Sequence, residues 1–137
     1  MEYFTYERIL LLHSMVIDET GGLHGVRDLH PLLAVVKSVR QKAFGQELYQ
    51  GIFKKAAVYV RTIIQGHPFL DGNKRTAILV AGTFMENNGY LIIADEGKIE
   101  KLVIGIATKK YDLEEISDWF KKHSRKIKKI NGNTVNK

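Results

Sequence analysis

Ten consecutive residues, His67-Pro68-Phe69-Leu70-Asp71-Gly72-Asn73-Lys74-Arg75-Thr76, carry the side chains best able to do chemistry in this sequence. A free imidazole titrates at about pH 6.5, so histidine is the side chain best suited to accept a proton near neutral pH, and His67 supplies one here. Asp71 is a hard carboxylate of the kind that holds a magnesium ion through one ligand and several waters. Asp71-Gly72 is a turn pair, and the residues after it begin a helix. Backbone N–H groups from Gly72 to Arg75 then have no partner inside that helix. They form a nest at the positive end of its dipole, suited to phosphate. Gly72 would let a ligand approach the backbone closely. Lys74 adds a point charge for phosphate oxygens, and Arg75 adds a planar fork. A base, a metal carboxylate and an anion nest in one loop fit nucleotide-dependent group transfer to a hydroxyl. Phe69 and Leu70 are expected to face inward and anchor the loop.

Taken singly, each of these residues has a plainer reading. A histidine after a helix end is commonly structural or simply exposed, Asp-Gly is commonly a turn, and Lys-Arg is commonly solvated. Two cations at a helix N-terminus are electrostatically unfavourable unless an anion balances them, which weights Lys74 and Arg75 toward function. The combination within ten residues makes the signal specific.

The flanking elements must hold this loop. Thr5 can cap a helix carrying Ile9, Leu10, Leu12, Met15 and Val16, stopped by Gly21-Gly22. Asp28 is the next expected cap, before His30-Pro31 and the run Leu32, Leu33, Val35, Val36 and Val39. A longer helix is expected from near Gln46, with Leu48, Ile52, Ala56, Val60 and Ile63 on one stripe and Gly66 as the left-handed residue after it. Beyond the loop, Ala77, Ile78, Val80, Ala81, Phe84 and Met85 read as helix up to Asn88-Gly89. Ile99, Leu102, Val103 and Ile106 mark a fifth helix. Asp112 with Glu115 makes a capping-box start for a sixth, burying Leu113, Ile116, Trp119 and Phe120. Only Tyr90-Leu91-Ile92-Ile93 looks extended. The expected architecture is all-α, a compact bundle of about six helices in a single domain over 1–137. Its core spans about 5–125, and a basic, frayed tail follows over about 126–137.

Composition agrees with one ordinary core: 137 residues, 45% hydrophobic and 26% charged. Cysteine is absent, so there is neither a disulfide framework nor a thiolate metal site. No signal peptide and no span of the ~18–20 apolar residues needed to cross a bilayer is read, so a soluble, cytoplasmic protein without membrane association is expected. The net charge of +6 concentrates at Lys121, Lys122, Arg125, Lys126, Lys128 and Lys129, with Lys137 last. That cluster reads as a solvated helix end, because no aromatic platform accompanies it, and nucleic acid is not the expected partner.

The loop resembles the signature of the Fic/Doc superfamily, His-Pro-Phe-x-Asp/Glu-Gly-Asn-Gly-Arg, differing at one fixed position. Lys74 stands where the common pattern has its last Gly, which is similar to the Doc (death on curing) branch with its Asn-Lys-Arg-Thr ending. Gly21-Gly22-Leu23-His24-Gly25-Val26-Arg27-Asp28 and Asn87-Asn88-Gly89-Tyr90 resemble outer segments of that branch. The resemblance implies the Fic/Doc fold. It also implies His67 as catalytic base, Asp71 as magnesium ligand, Asn73 positioning the phosphates, and Gly72, Lys74 and Arg75 binding them, with ATP as substrate. In Doc, Lys at the Lys74 position goes with an inverted nucleotide and transfer of the γ-phosphate to a threonine of elongation factor Tu. Members with Gly there transfer AMP.

The inhibitory Ser/Thr-x-x-x-Glu-Gly/Asn motif of many relatives is not matched. From Ser14 the acidic position holds Asp18, with Glu19 one later. The resemblance therefore implies control by a separate antitoxin, docking a helix at the active-site cleft. Three readings follow: a Doc-type toxin kinase, an AMP transferase, and an inactive binding member. A metal hydrolase fits poorly, since no further ligand lies at metal spacing from His67 and Asp71.

Overall fold

Thr5 Oγ1 accepts a hydrogen bond from Arg8 N at 3.2 Å and opens the first helix, α1, Tyr6–Thr20. The computed structural model describes residues 1–130 and 133–135. Helix α2 is His30–Ser38, and strands β1 (Lys42–Ala43) and β2 (Gln46–Glu47) form a small antiparallel hairpin. Helices α3 (Ile52–Gly66) and α4 (Asn73–Asn87) flank the signature loop. Strand β3 (Tyr90–Ile92), α5 (Glu96–Ala107), α6 (Leu113–Lys122) and β4 (Ser124–Lys126) follow, then β5 (Lys128–Ile130) and β6 (Asn133–Val135). Six helices thus dominate, as the all-α reading expects.

Helix α3 runs through the middle. Residues Lys55 to Val60, with Ile63 and Ile64, are all buried, so it is enclosed on most of its circumference. Its main neighbours are α4 and α6, with α2 and α5 closing the remaining sides. Phe84 of α4 is fully buried against Tyr59 of α3 with ring centroids 5.0 Å apart, and Phe4 lies edge-on to Tyr59 at 5.7 Å. Each such ring contributes roughly 1.5–3 kcal/mol through its removal from water. Burial pushes the Tyr59 hydroxyl up to about 12, and that hydroxyl accepts from Phe4 N at 3.4 Å. Asp112 and Glu115 form the expected reciprocal capping box on α6, whose Ile116 and Phe120 are fully buried.

Several expectations change. The third helix begins at Ile52, not near Gln46, because Phe44 and Gly45 both take positive φ and turn the chain back into β2. Leu48 is consequently exposed. Asp28 does not cap α2: the N-cap is Leu29, and Asp28 Oδ1 accepts from His30 N at 3.0 Å one residue too early for a cap. Gly66 is the last helical residue of α3, and the left-handed residue after it is His67, at φ 47° and ψ 56°. Gly66 lacks a side chain for another reason: a Cβ there would meet Pro31 Cβ at 2.8 Å.

Strand pairing continues into the segment expected as a tail. β4 pairs with β3 (Tyr90 opposite Lys126), and β5 pairs with β6. Residues 131–132 and 136–137 of the expected tail lie outside the described residues. Among the described residues no helix is long and apolar enough to cross a membrane.

Candidate active site

The loop between α3 and α4 is held by donors from three directions. Arg27, in the segment after α1, donates from Nε to His67 O at 2.7 Å and from Nη2 to Gly66 O at 2.9 Å. A guanidinium is a natural clamp for the last carbonyls of a helix, which carry the negative end of its dipole. Arg27 N and Asp28 N both donate to Pro68 O, at 2.7 and 3.0 Å, and Leu70 N donates back to Gly25 O at 3.1 Å. From inside the loop, Asn73 Nδ2 donates to Phe69 O and Asn73 Oδ1 accepts from Phe69 N, each at 2.9 Å. From α1, His13 Nε2 lies 2.8 Å from Asp71 O. A carbonyl only accepts, so Nε2 carries the proton. The carbonyls of Gly66, His67, Pro68, Phe69 and Asp71 are thus all occupied within the protein.

These ties leave the N–H groups free where they matter. Gly72 is the N-cap of α4 at φ 74°, with no side-chain cap, and the first helical hydrogen bond runs from Thr76 N to Gly72 O at 2.9 Å. The amides of Asn73, Lys74 and Arg75 therefore have no helical acceptor, which makes the expected nest. All six expected site residues, His67, Asp71, Gly72, Asn73, Lys74 and Arg75, line one cavity of about 500 Å³, together with Thr20, Gly21, Gly22 and Leu70.

The structure adds contacts or exposure that the sequence did not show at three places. The missing side chain of Gly72 also clears α1, since a Cβ would lie 3.0 Å from Ile17 Cδ1. The Asn73 amide is spent on the Phe69 backbone, so Asn73 shapes the loop and offers the cavity its main-chain N–H. Phe69 is buried as expected, but Leu70 is 52% exposed at the cavity rim.

His67 stands exposed, and no side chain among the described residues hydrogen-bonds its ring. Its left-handed backbone costs of order 1 kcal/mol relative to a right-handed one, which the Arg27 clamp offsets. Asp71 Oδ2 accepts from Leu23 N at 2.8 Å, which fixes the carboxylate and leaves Oδ1 available. One oriented carboxylate beside an anion nest suits magnesium bound jointly with phosphate oxygens. Among the described residues no three His, Cys, Asp or Glu gather as a self-sufficient metal cage. Arg75 Nη1 donates to Thr20 Oγ1 at 2.6 Å, close to the carbonyl end of α1. That contact relieves the unfavourable placement of Arg75 at the start of α4. Lys74 is exposed and has no ion-pair or hydrogen-bond partner among the described residues, so its charge is available to the cavity.

A family model described as the Fic/DOC family matches residues 3–85. This chain belongs to that family. Its Fic/DOC relatives include "Toxin Doc" of Mycolicibacterium smegmatis, 34% identical over 118 residues that cover 85% of this chain and 88% of the relative. "Protein kinase doc" of Escherichia phage P1 is 30% identical over 118 residues, 86% of this chain and 92% of the relative. The match takes in α1 to most of α4, which is the part that builds and clamps the cavity.

Sequence reasoning missed His13, Thr20 and the Leu23 amide, and had Arg27 only as part of a resembling segment. His13 did leave a signal: it is a polar residue inside the stripe Ile9, Leu12 and Val16. Thr20 and Leu23 left none, because a hydroxyl near a helix end and a backbone amide in a loop are ordinary.

Proposed function

We propose that this chain is a Doc-type toxin that transfers the γ-phosphate of ATP to a serine or threonine hydroxyl of a protein. The observation that carries the reading is one cavity lined by His67 together with Asn73, Lys74 and Arg75 at the start of α4. The acceptor oxygen attacks the γ-phosphorus while the bond to the β,γ-bridging oxygen breaks, releasing ADP. His67 takes the hydroxyl proton. The amides at the start of α4, with Lys74 and Arg75, hold the phosphates. Magnesium, held by Asp71, would supply charge neutralisation on the phosphate oxygens. Lys74 fills space and adds charge where a glycine would leave the nest open, which favours the nucleotide orientation that brings the γ-phosphate toward His67. Two relatives named as a toxin and a protein kinase support the same reading. Elongation factor Tu is the acceptor the family resemblance points to, a separate antitoxin the controlling partner, and the cytoplasm the setting.

Incubation with ATP labelled separately at the α- and γ-phosphates, in cell extract and with purified elongation factor Tu, tests this directly. Label is expected from the γ position only, and Lys74→Gly is expected to lose most of that transfer, because the phosphorus in line with the hydroxyl at about 3–3.5 Å decides the product. An acceptor gaining the mass of AMP would replace the kinase by an adenylyltransferase. No transfer from either position would leave a binding member of the family.

A further inference from the structure

His13 sits on α1 among Ile9, Leu12, Val16 and Ile17 and is 4% exposed. An imidazole at such a position sacrifices the gain an aliphatic side chain would bring and needs a partner for its polar atoms. Its ring lies flat on Phe69, centroids 3.7 Å apart and planes 2° from parallel, while Nε2 donates to Asp71 O at 2.8 Å. The carbonyl it reaches belongs to the peptide joining Asp71 to Gly72. In a trans peptide C=O and N–H point to opposite sides, so fixing one fixes the other. Gly72 is the residue least able to fix this plane alone, since glycine takes φ above and below zero about equally. Rotation of the Asp71–Gly72 peptide, the change that separates type I from type II turns, would bring a carbonyl oxygen where an N–H stood. At the head of an anion nest that exchange replaces attraction by repulsion.

We infer that His13 is a positioning residue for phosphate: its Nε2–H holds the Asp71–Gly72 peptide in the one orientation that directs Gly72 N–H away from α1 and into the nest. Resting on the reading of the loop as a nucleotide phosphate site, this gives the Gly72 amide, already expected in the nest, the residue that aims it beside those of Asn73, Lys74 and Arg75. It also gives the buried imidazole a role distinct from that of His67. The Leu23 N to Asp71 Oδ2 bond restrains the side chain of the same residue, so Asp71 is gripped at both its carbonyl and its carboxylate.

His13→Phe keeps an aromatic ring for Phe69 to stack on and loses the donor, while His13→Gln returns a donor near the place of Nε2. Titration calorimetry with magnesium-ATP is expected to show the Phe variant binding about tenfold more weakly and the Gln variant close to the unaltered chain. In transfer assays KM is expected to rise with kcat at saturation nearly unchanged, because His67 is untouched. On the unaltered, ¹⁵N-labelled chain, the Gly72 amide proton is expected to move downfield on addition of magnesium-ATP. That readout stands even if the Phe variant fails to fold. Equal nucleotide affinity in the Phe variant, a Gln variant as weak as Phe, or an unmoved Gly72 amide overturns the positioning role while leaving the site intact. An unaltered chain that binds no nucleotide overturns both the role and the reading beneath it.

Discussion

Protonation of His13 works against the folded state. Burial is the largest influence and holds its imidazole below the ordinary value of 6.5, partly opposed by the hydrogen bond to the Asp71 carbonyl. The unfolded chain protonates this residue near that ordinary value, whereas the folded chain resists until lower pH. Stability contributed by the neutral ring is therefore complete above about pH 6.5 and declines as pH falls toward the depressed folded value. Urea unfolding followed between about pH 7 and about pH 5.5 is expected to show this decline in the unaltered chain and a shallower one in His13→Phe. Parallel curves for the two would mean that His13 titrates alike in both states. His67, by contrast, is exposed, and no side chain among the described residues hydrogen-bonds its ring.

The segment from Gly22 to Asp28 behaves as an element, although it contains only an isolated bridge between Val26 and Phe69. It supplies Leu23 N to Asp71, Gly25 O to Leu70, two amides to Pro68 and the Arg27 fork to Gly66 and His67. Arg27→Ala is expected to lower kcat about tenfold or more with magnesium-ATP affinity nearly unchanged, since the fork grips the base side of the cavity and not the nest. Arg27→Lys should fall between, because an ammonium reaches one carbonyl at a time. A kcat unchanged in both variants would leave the clamp without a part in His67 placement.

The same segment explains what was legible in the sequence. Helices α1, α4, α5 and α6 announce themselves by period, caps and stop residues, and the six expected site residues announce themselves by proximity in ten positions. The grip on them comes from backbone groups and from side chains 40 or more residues away, as with Arg27 and His67, and no local pattern encodes such pairing. The false start of α3 at Gln46 has a similar cause. An apolar stripe read backward from Ile52 continues smoothly through Leu48, and only the positive φ of Phe44, Gly45 and Gly51 shows that the chain is turning there.

At the scale of the molecule, α3 is the axis on which both halves are built. The matched family region, 3–85, sets α2 and α4 directly against it, with α1 packed on α4 and α2, and the rest of the chain adds α5 and α6, with Leu102, Ile106, Ile116 and Phe120 buried. The end of this axis nearest the cavity is His67, whose backbone takes a conformation that suits glycine better than any other residue. His67→Gly should relieve that conformation, at about 1–2 kcal/mol, against roughly 0.5–1 kcal/mol of extra freedom in the unfolded chain. A melting point higher by up to a few degrees is expected in thermal scans, together with loss of transfer. A lower melting point would show that the ring itself props the loop. On this account the most durable form of the molecule is an inert one.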